Sequence, residues 1–267
     1  MGDVKVAVHQ PNYLPWLGFF HKISRVDTFV FLDTVQFARR GYTHRVYVMG
    51  PGGDALWLTE SVSKRAVEEQ VIQDLVFSDK HWVDKHLKTL DAVYRKTPYF
   101  DAVFALVECG LRSDTDFLGR FNGSLIQMLA KAVGISTRIL YASELDLGDF
   151  SSPNERIARI TNHLGGKLYL SGAGARAYND PDVFARHGVE LSYNDFVIEP
   201  YAQRNPRSSP QFMGGLSIVD ALFNVGFGGV AAMLDVPQKN VPTPQADACQ
   251  REPGPEVGEQ NMLTRIE

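Results

Sequence analysis

The chain reads as an α/β protein with a largely parallel sheet flanked by helices, and three features of its sequence say so. Short β-branched or wholly apolar runs recur at Val4–Val8, Phe29–Leu32, Thr137–Tyr141, Lys167–Leu170 and Val189–Tyr193. Helical stretches separate most of them, the pattern of strands covered on both faces. The alternation is broken once, from about 68 to 134, where the periodicity is helical throughout. A single α/β domain over 1–235 with a helical insertion, followed by a flexible tail over 236–267, is the expectation.

The first element is the strand Val4–Val8, which stops at Pro11 because proline has no N–H for a ladder. Asn12, Tyr13 and Pro15 make a turn, and Pro15 suits a first helical position. Trp16, Phe19, Phe20 and Ile23 then fall on one helical face. With Phe29–Leu32 this makes a compact βαβ unit. Thr43–Met49 and Ala55–Thr59, joined by Gly50-Pro51-Gly52-Gly53-Asp54, read as a hairpin that would make the sheet mixed if it joined it. In the insertion, His81–Thr97 ends before Pro98, 98–109 stops at Gly110, and Asp114 is placed to cap Thr115–Val133. Ser152-Pro153-Asn154-Glu155 has the form of a capping box and opens a helix to Leu164. Pro181–His187 is the next helix, and Ser217–Val225 a last one ended by Gly226. Beyond Asp235 the sequence is polar and dotted with proline.

Composition narrows the function classes. With 267 residues, 44% hydrophobic and 22% charged, the chain has ample core for a globular protein. A net charge of -4 gives no global field for nucleic acid, so any phosphate-binding surface must be local. Cys109 and Cys249 lack metal or redox spacing, which fits lone thiols in a reducing compartment. The N-terminal residues lack the pattern of a signal peptide, and no apolar run is long enough to span a membrane. The expectation is a cytoplasmic protein acting on a small molecule, without nucleic acid or membrane as partner. Nothing matches a zinc, P-loop or EF-hand motif, so no metal or cofactor is named.

Ligands of open α/β sheets bind beyond the carboxyl ends of the parallel strands. His9 and Gln10 follow the first strand; Asp33 and Gln36 follow the second, with Arg39, Arg40, Tyr42, His44 and Arg45 close behind. If the two strands are neighbours, their loops form one floor carrying an imidazole, amides, a carboxylate and cations. His9 is a candidate general base, since a histidine can exchange protons near neutrality. Asp33 would orient an amine or hydroxyl. Arg40 and Arg45 offer planar forks for a phosphate or carboxylate, beside Tyr42. Gly172-Ala173-Gly174-Ala175-Arg176-Ala177 matches G-x-G-x-x-A after a strand, with Asp195 further on. The dinucleotide reading is set aside, because Asn179-Asp180-Pro181 starts the helix too late. The loop can still offer backbone N–H groups to a phosphate or acyl group. His86 shares a helical face with Trp82 and Leu90, so packing is its first reading.

Five segments, VHQPNYLPWLGFFHKI, FVFLDTVQFARRGYTHR, WVDKHLKTLDAVYRKTPYF, YLSGAGARAY and LSIVDALFNVG, occur in an order that resembles the WbqC-like protein family across about residues 4–226. The resemblance implies a role with bacterial surface-polysaccharide or specialised-metabolite genes, on activated sugars or amino-acid-derived groups. The matching positions it implies as functional are His9, Gln10, Tyr13, Asp33, Gln36, Arg45, Lys85, His86, Ser171, Gly172 and Tyr178. His44 departs from the pattern, where a small amide is expected, and leaves a role for that position in doubt. The reading is a group transferase moving an acyl or aminoacyl unit onto an amine of a nucleotide-linked sugar or related metabolite. Nucleotidyl transfer is the alternative, weakened because HQPNYLPW lacks the H-x-G-H pair; a non-catalytic scaffold is the other.

Overall fold

The computed structural model describes residues 3–63, 70–205, 211–237 and 240–241. β1 (Val4–His9) leads through α1 (Leu17–Ser24) to β2 (Thr28–Phe31), and a hairpin of β3 (Arg45–Met49) and β4 (Ala55–Thr59) follows. Three helices come next: α2 (His81–Tyr94), α3 (Phe100–Leu111) and α4 (Leu118–Ala132). The chain then alternates through β5 (Arg138–Tyr141), α5 (Pro153–His163), β6 (Gly166–Gly172), α6 (Pro181–Arg186) and β7 (Glu190–Asn194), and ends on α7 (Ile218–Met233).

Five of these strands form one sheet in the order β5-β2-β1-β6-β7, and every pairing in it is parallel. Alternate side chains of a strand point to opposite faces. Val6, Val8 and Val30 accordingly join Ala158, Ile160 and Phe184 of α5 and α6, while Ala7, Phe29 and Phe31 join a larger core with α1, α2, α3, α4 and α7. Each fully buried Phe or Val contributes about 1.5–3 kcal/mol over its exposed state. The hairpin pairs only with itself, from Arg45 opposite Thr59 to Met49 opposite Ala55, so the main sheet is not mixed.

Local signals held where nothing tertiary competed. Ser152 accepts from the N–H of Glu155 at 3.1 Å, although Glu155 reaches back to the N–H of Ser151, one residue before the cap. Asp114 does not cap α4. The N–H of Leu118 donates instead to Leu75, and Phe117 bridges to Val76, so pairing with a neighbouring segment replaces the side-chain cap. Gly226 does interrupt α7, at φ 71°, but helix resumes beyond it to Met233. A Cβ there would lie 2.6 Å from the Tyr99 ring, so glycine is required twice over. Cys109 on α3 is disulfide-bonded, against the lone-thiol expectation, and its partner falls outside the described residues. The tail expected from 236 lies outside them too, apart from 236–237 and 240–241; Val236 is buried in the core. Among the described residues no helix is long and apolar enough to cross a membrane.

Candidate functional site

The sheet order changes direction at β1. The chain builds outward on one side through β2 to β5, then crosses back to place β6 against the other side of β1. Loops leaving β1 and β6 therefore part company, and a crevice opens at their carboxyl ends. A cavity of about 470 Å³ lies there, lined by His9, Trp16, Phe19 and Lys22 from the β1–α1 side. Ser171, the Gly172–Ala175 turn, Asn194 and Phe196 close the other side.

His9 packs edge-on to Phe19, with ring centroids 4.9 Å apart, and its Nδ1 lies 3.1 Å from the Gln10 carbonyl. A carbonyl can only accept, so Nδ1 carries the proton and Nε2 keeps its lone pair. Burial, reinforced by the charge of Lys22, pushes His9 down to about 3. The ring is thus neutral at pH 7 and accepts hydrogen bonds rather than storing a proton. Lys22, 3% exposed, donates from Nζ to the Val8 carbonyl at 3.3 Å. Burial alone brings it down to about 7, so much of it is a free amine at neutral pH. Gly172 and Gly174 have negative φ, and a Cβ on either would meet nothing within 4 Å. Neither backbone strain nor packing requires them; the space before them is open.

The loop following β1 is held from all sides. Asn122 donates to the Pro11 carbonyl at 3.1 Å, Ser217 Oγ to Leu14 at 2.6 Å, and the N–H of Ile218 to Pro15 at 2.9 Å. The N–H of Tyr13 reaches the Tyr42 carbonyl, and Thr43 Oγ1 donates to Gln10 Oε1 at 3.0 Å. Leu14 sits at φ 38°, a conformation that costs a non-glycine residue about 1–2 kcal/mol and persists only where surroundings over-determine it. That rigidity fixes His9 and Trp16 before any ligand arrives.

A second cavity, of about 670 Å³, lies between the hairpin and α2. Arg39, His44, Trp57, Glu60, Trp82, Lys85 and His86 are among its lining residues. His86 Nδ1 meets the Tyr13 hydroxyl at 2.9 Å, and the Thr59 backbone also lies against the ring. It is a packed histidine, and burial pushes it down to about 4.

The expected single floor beyond β1 and β2 is therefore two cavities: His9 and Trp16 of the HQPNYLPW loop line the first, and the loop reaches the second through the bond of Tyr13 to His86. The strands are parallel neighbours as anticipated. Of the residues singled out from sequence, His9, Ser171, Gly172 and Gly174 line the crevice, and Lys85 and His86 line the hairpin cavity. Gln10 and Tyr13 brace the loop. Asp33, 1% exposed, lines neither: its two oxygens accept from the N–H and Oγ of Ser143 at 2.9 and 2.6 Å, tying the end of β2 to the end of β5. Gln36 is exposed and bridges to Val71. Arg45 stacks over Trp57 at 4.3 Å and donates to the carbonyls of Arg40 and Gly41, which orders the basic loop. Arg40 is exposed, Tyr42 packs against Trp16 and Trp57, and Tyr178 is 79% exposed on the turn after β6. Arg176 Nη2 reaches both carboxylate oxygens of Asp195, at 2.6 and 2.7 Å.

Sequence reasoning missed Lys22 and Glu60. Lys22 carried a signal, since a lysine three residues after Phe19 and beside Ile23 lies at the edge of the helix's apolar stripe. Glu60, just past a strand end, carried none. Among the described residues no group of three or more His, Cys, Asp or Glu is placed to hold a metal ion.

A family model described as the WbqC-like protein family matches residues 10–231. The chain is also similar to the uncharacterized protein Rv1507c of Mycobacterium tuberculosis (strain ATCC 25618 / H37Rv). The two are 30% identical over 227 residues, which covers 83% of this chain and 94% of that protein. No solved structure matches.

Proposed function

This chain belongs to the WbqC-like protein family, and from that premise we propose that it is a small-molecule group transferase whose reaction centre is the crevice between β1 and β6. The observation that carries the reading is the meeting there of Lys22, His9 and an open, glycine-faced turn at a strand crossing. Such crossings are where α/β sheets hold phosphate-bearing ligands.

In this reading the substrates are an acyl or aminoacyl donor and an amine of a nucleotide-linked sugar or related metabolite. The amine nitrogen bonds to the acyl carbon, and the bond to the leaving group breaks with its electron pair. The amine's proton goes to a base. A base works best with a pKa near the working pH, so Lys22 at about 7 fits that task better than His9 at about 3. His9 Nε2 orients the attacking N–H, and the backbone N–H groups of the Gly172–Ala175 turn face the developing negative charge. Asp33, with both oxygens on Ser143, acts as a positioning residue for the sheet's rim.

One observation favours a second reading. A histidine ending the central strand of a parallel sheet in the order β5-β2-β1-β6-β7 is also an arrangement suited to nucleotidyl transfer. Thermal-shift screening separates the two, because a ligand stabilises the state it binds. A shift with nucleotide-sugars or acyl-coenzyme A, together with turnover lost in Lys22→Met, supports acyl transfer. A shift with a nucleoside triphosphate and magnesium alone moves the assignment to nucleotidyl transfer, and no shift with any of them points to a scaffold.

A further inference from the structure

The hairpin cavity holds an unusual set of unsatisfied groups. Glu60 is 1% exposed, and Asn122 Nδ2 reaches its Oε2 at 3.4 Å while Oε1 has no partner among the described residues. Trp82 Nε1 and His44 Nδ1, both on the same cavity wall, are likewise unpartnered there. Buried polar atoms are satisfied in the great majority of folded proteins, and each exception calls for an explanation. The basic groups of the cavity, Arg39 and Lys85, are exposed at its rim rather than paired with Glu60. The cavity thus has an acid in its floor, cations at its mouth, and a donor and an imidazole nitrogen in between.

We propose that this cavity is a second binding site, for a small molecule carrying a primary amine and an acidic group, with the amine on Glu60 and the acidic group at Arg39 and Lys85. Trp82 Nε1, which can only donate, takes an oxygen of the ligand. Its volume of about 670 Å³ is that of a metabolite site. The assignment stands apart from the reaction proposed for the β1–β6 crevice, since none of these residues lines that crevice.

Burial raises the Glu60 carboxyl well above the ordinary range, which favours its neutral form until a cation reaches it. His44 and His86 are neutral at pH 7, both pushed down to about 4, chiefly by burial. Tyr13 is raised chiefly by burial. A protonated amine docking on Glu60 therefore ionises it and expels a proton.

The test is calorimetry on the full chain at pH 7, with the standard amino acids and hexosamine phosphates as probes, each beside its deaminated counterpart. The expected result is binding of at least one probe, with its counterpart weaker by about tenfold or more. The binding heat should also change with the ionisation enthalpy of the buffer, which reports the proton released. Glu60→Gln, nearly isosteric, should weaken binding by a similar factor and remove the buffer dependence, with Trp82→Phe as a milder second variant. Binding unaltered by Glu60→Gln in a variant of normal melting temperature, or no binding of any probe at millimolar concentration, overturns the proposal.

Discussion

The two cavities differ in how their polar groups are treated, and on the proposed readings that difference separates chemistry from recognition. In the β1–β6 crevice the titratable groups each have a partner: His9 donates to Gln10, and Lys22 donates to Val8. Open space faces two glycines, and the walls are otherwise largely aromatic and apolar, with Ser171 and Asn194 as further polar groups. In the hairpin cavity one oxygen of an acid, an indole N–H and an imidazole nitrogen have no partner among the described residues, behind a rim of cations. A site that must tune a base is built by desolvating one group, whereas a site that must select a charged ligand leaves complementary groups vacant.

Lys22→Met gives the largest expected effect and tests the first half of that contrast. Removal of a general base lowers kcat by about 10²–10⁴-fold. The same change should raise stability by about 1–4 kcal/mol, since an ion is replaced by an apolar chain of similar shape. The sign follows from linkage. Lys22 titrates near 7 when folded and at 10.5 otherwise, so the cost of burying it is full below pH 7 and fades as pH rises toward 10.5. Melting curves of wild type and variant should therefore converge with rising pH. A variant that melts lower than wild type at pH 6 would make Lys22 a packing residue instead.

Acid should act on both cavities together. His9 titrates near 3 and His86 near 4 in the folded chain, against 6.5 unfolded. The unfolded state binds more protons between those limits, so stability present above pH 6.5 is lost as pH falls toward 4. The loss should reach several kcal/mol, about 1.4 kcal/mol for each pH unit traversed per histidine. Chemical denaturation across that range measures the slope, and His86→Gln should flatten it by about one proton.

Asp33→Ala should cost about 2–3 kcal/mol, from two lost bonds to a carboxylate and the Ser143 groups left behind. Ligand affinity at either cavity should change little, because Asp33 lines neither. Urea titration beside calorimetry checks both halves. A variant of near-normal stability with abolished activity would return Asp33 to the catalytic set.

What the sequence made legible follows the reach of each interaction. Ala55–Thr59 and the helix start at Pro153 were readable to the residue, because alternation, turn glycines and a serine cap act within a few positions. The parallel pairing of β1 with β2 was readable from one short crossover. The return of β6 to the far side of β1 was not, since a parallel crossover leaves no local mark on strand order. For that reason His9 was assigned to a floor shared with Arg45, while its cavity partners are Lys22 and the turn after β6. Glu60 was hidden for a similar cause: only the docking of α2 and α4 against the hairpin buries it.

Gly174→Ala gives the smallest effect and the sharpest distinction between scaffold and site. The position has negative φ, and an added Cβ meets no protein atom within 4 Å, so the folded state accepts alanine without strain. Alanine restricts the unfolded chain, and stability should rise by about 0.4–1 kcal/mol. If the turn exists so that a ligand's anionic group can approach its backbone, that same methyl stands in the ligand's path. Affinity for the crevice ligand should then fall while the melting temperature climbs, and binding in the hairpin cavity should stay as it was. Affinity preserved in Gly174→Ala would mean that the ligand does not touch this turn, and that any backbone donors it uses lie elsewhere in the crevice.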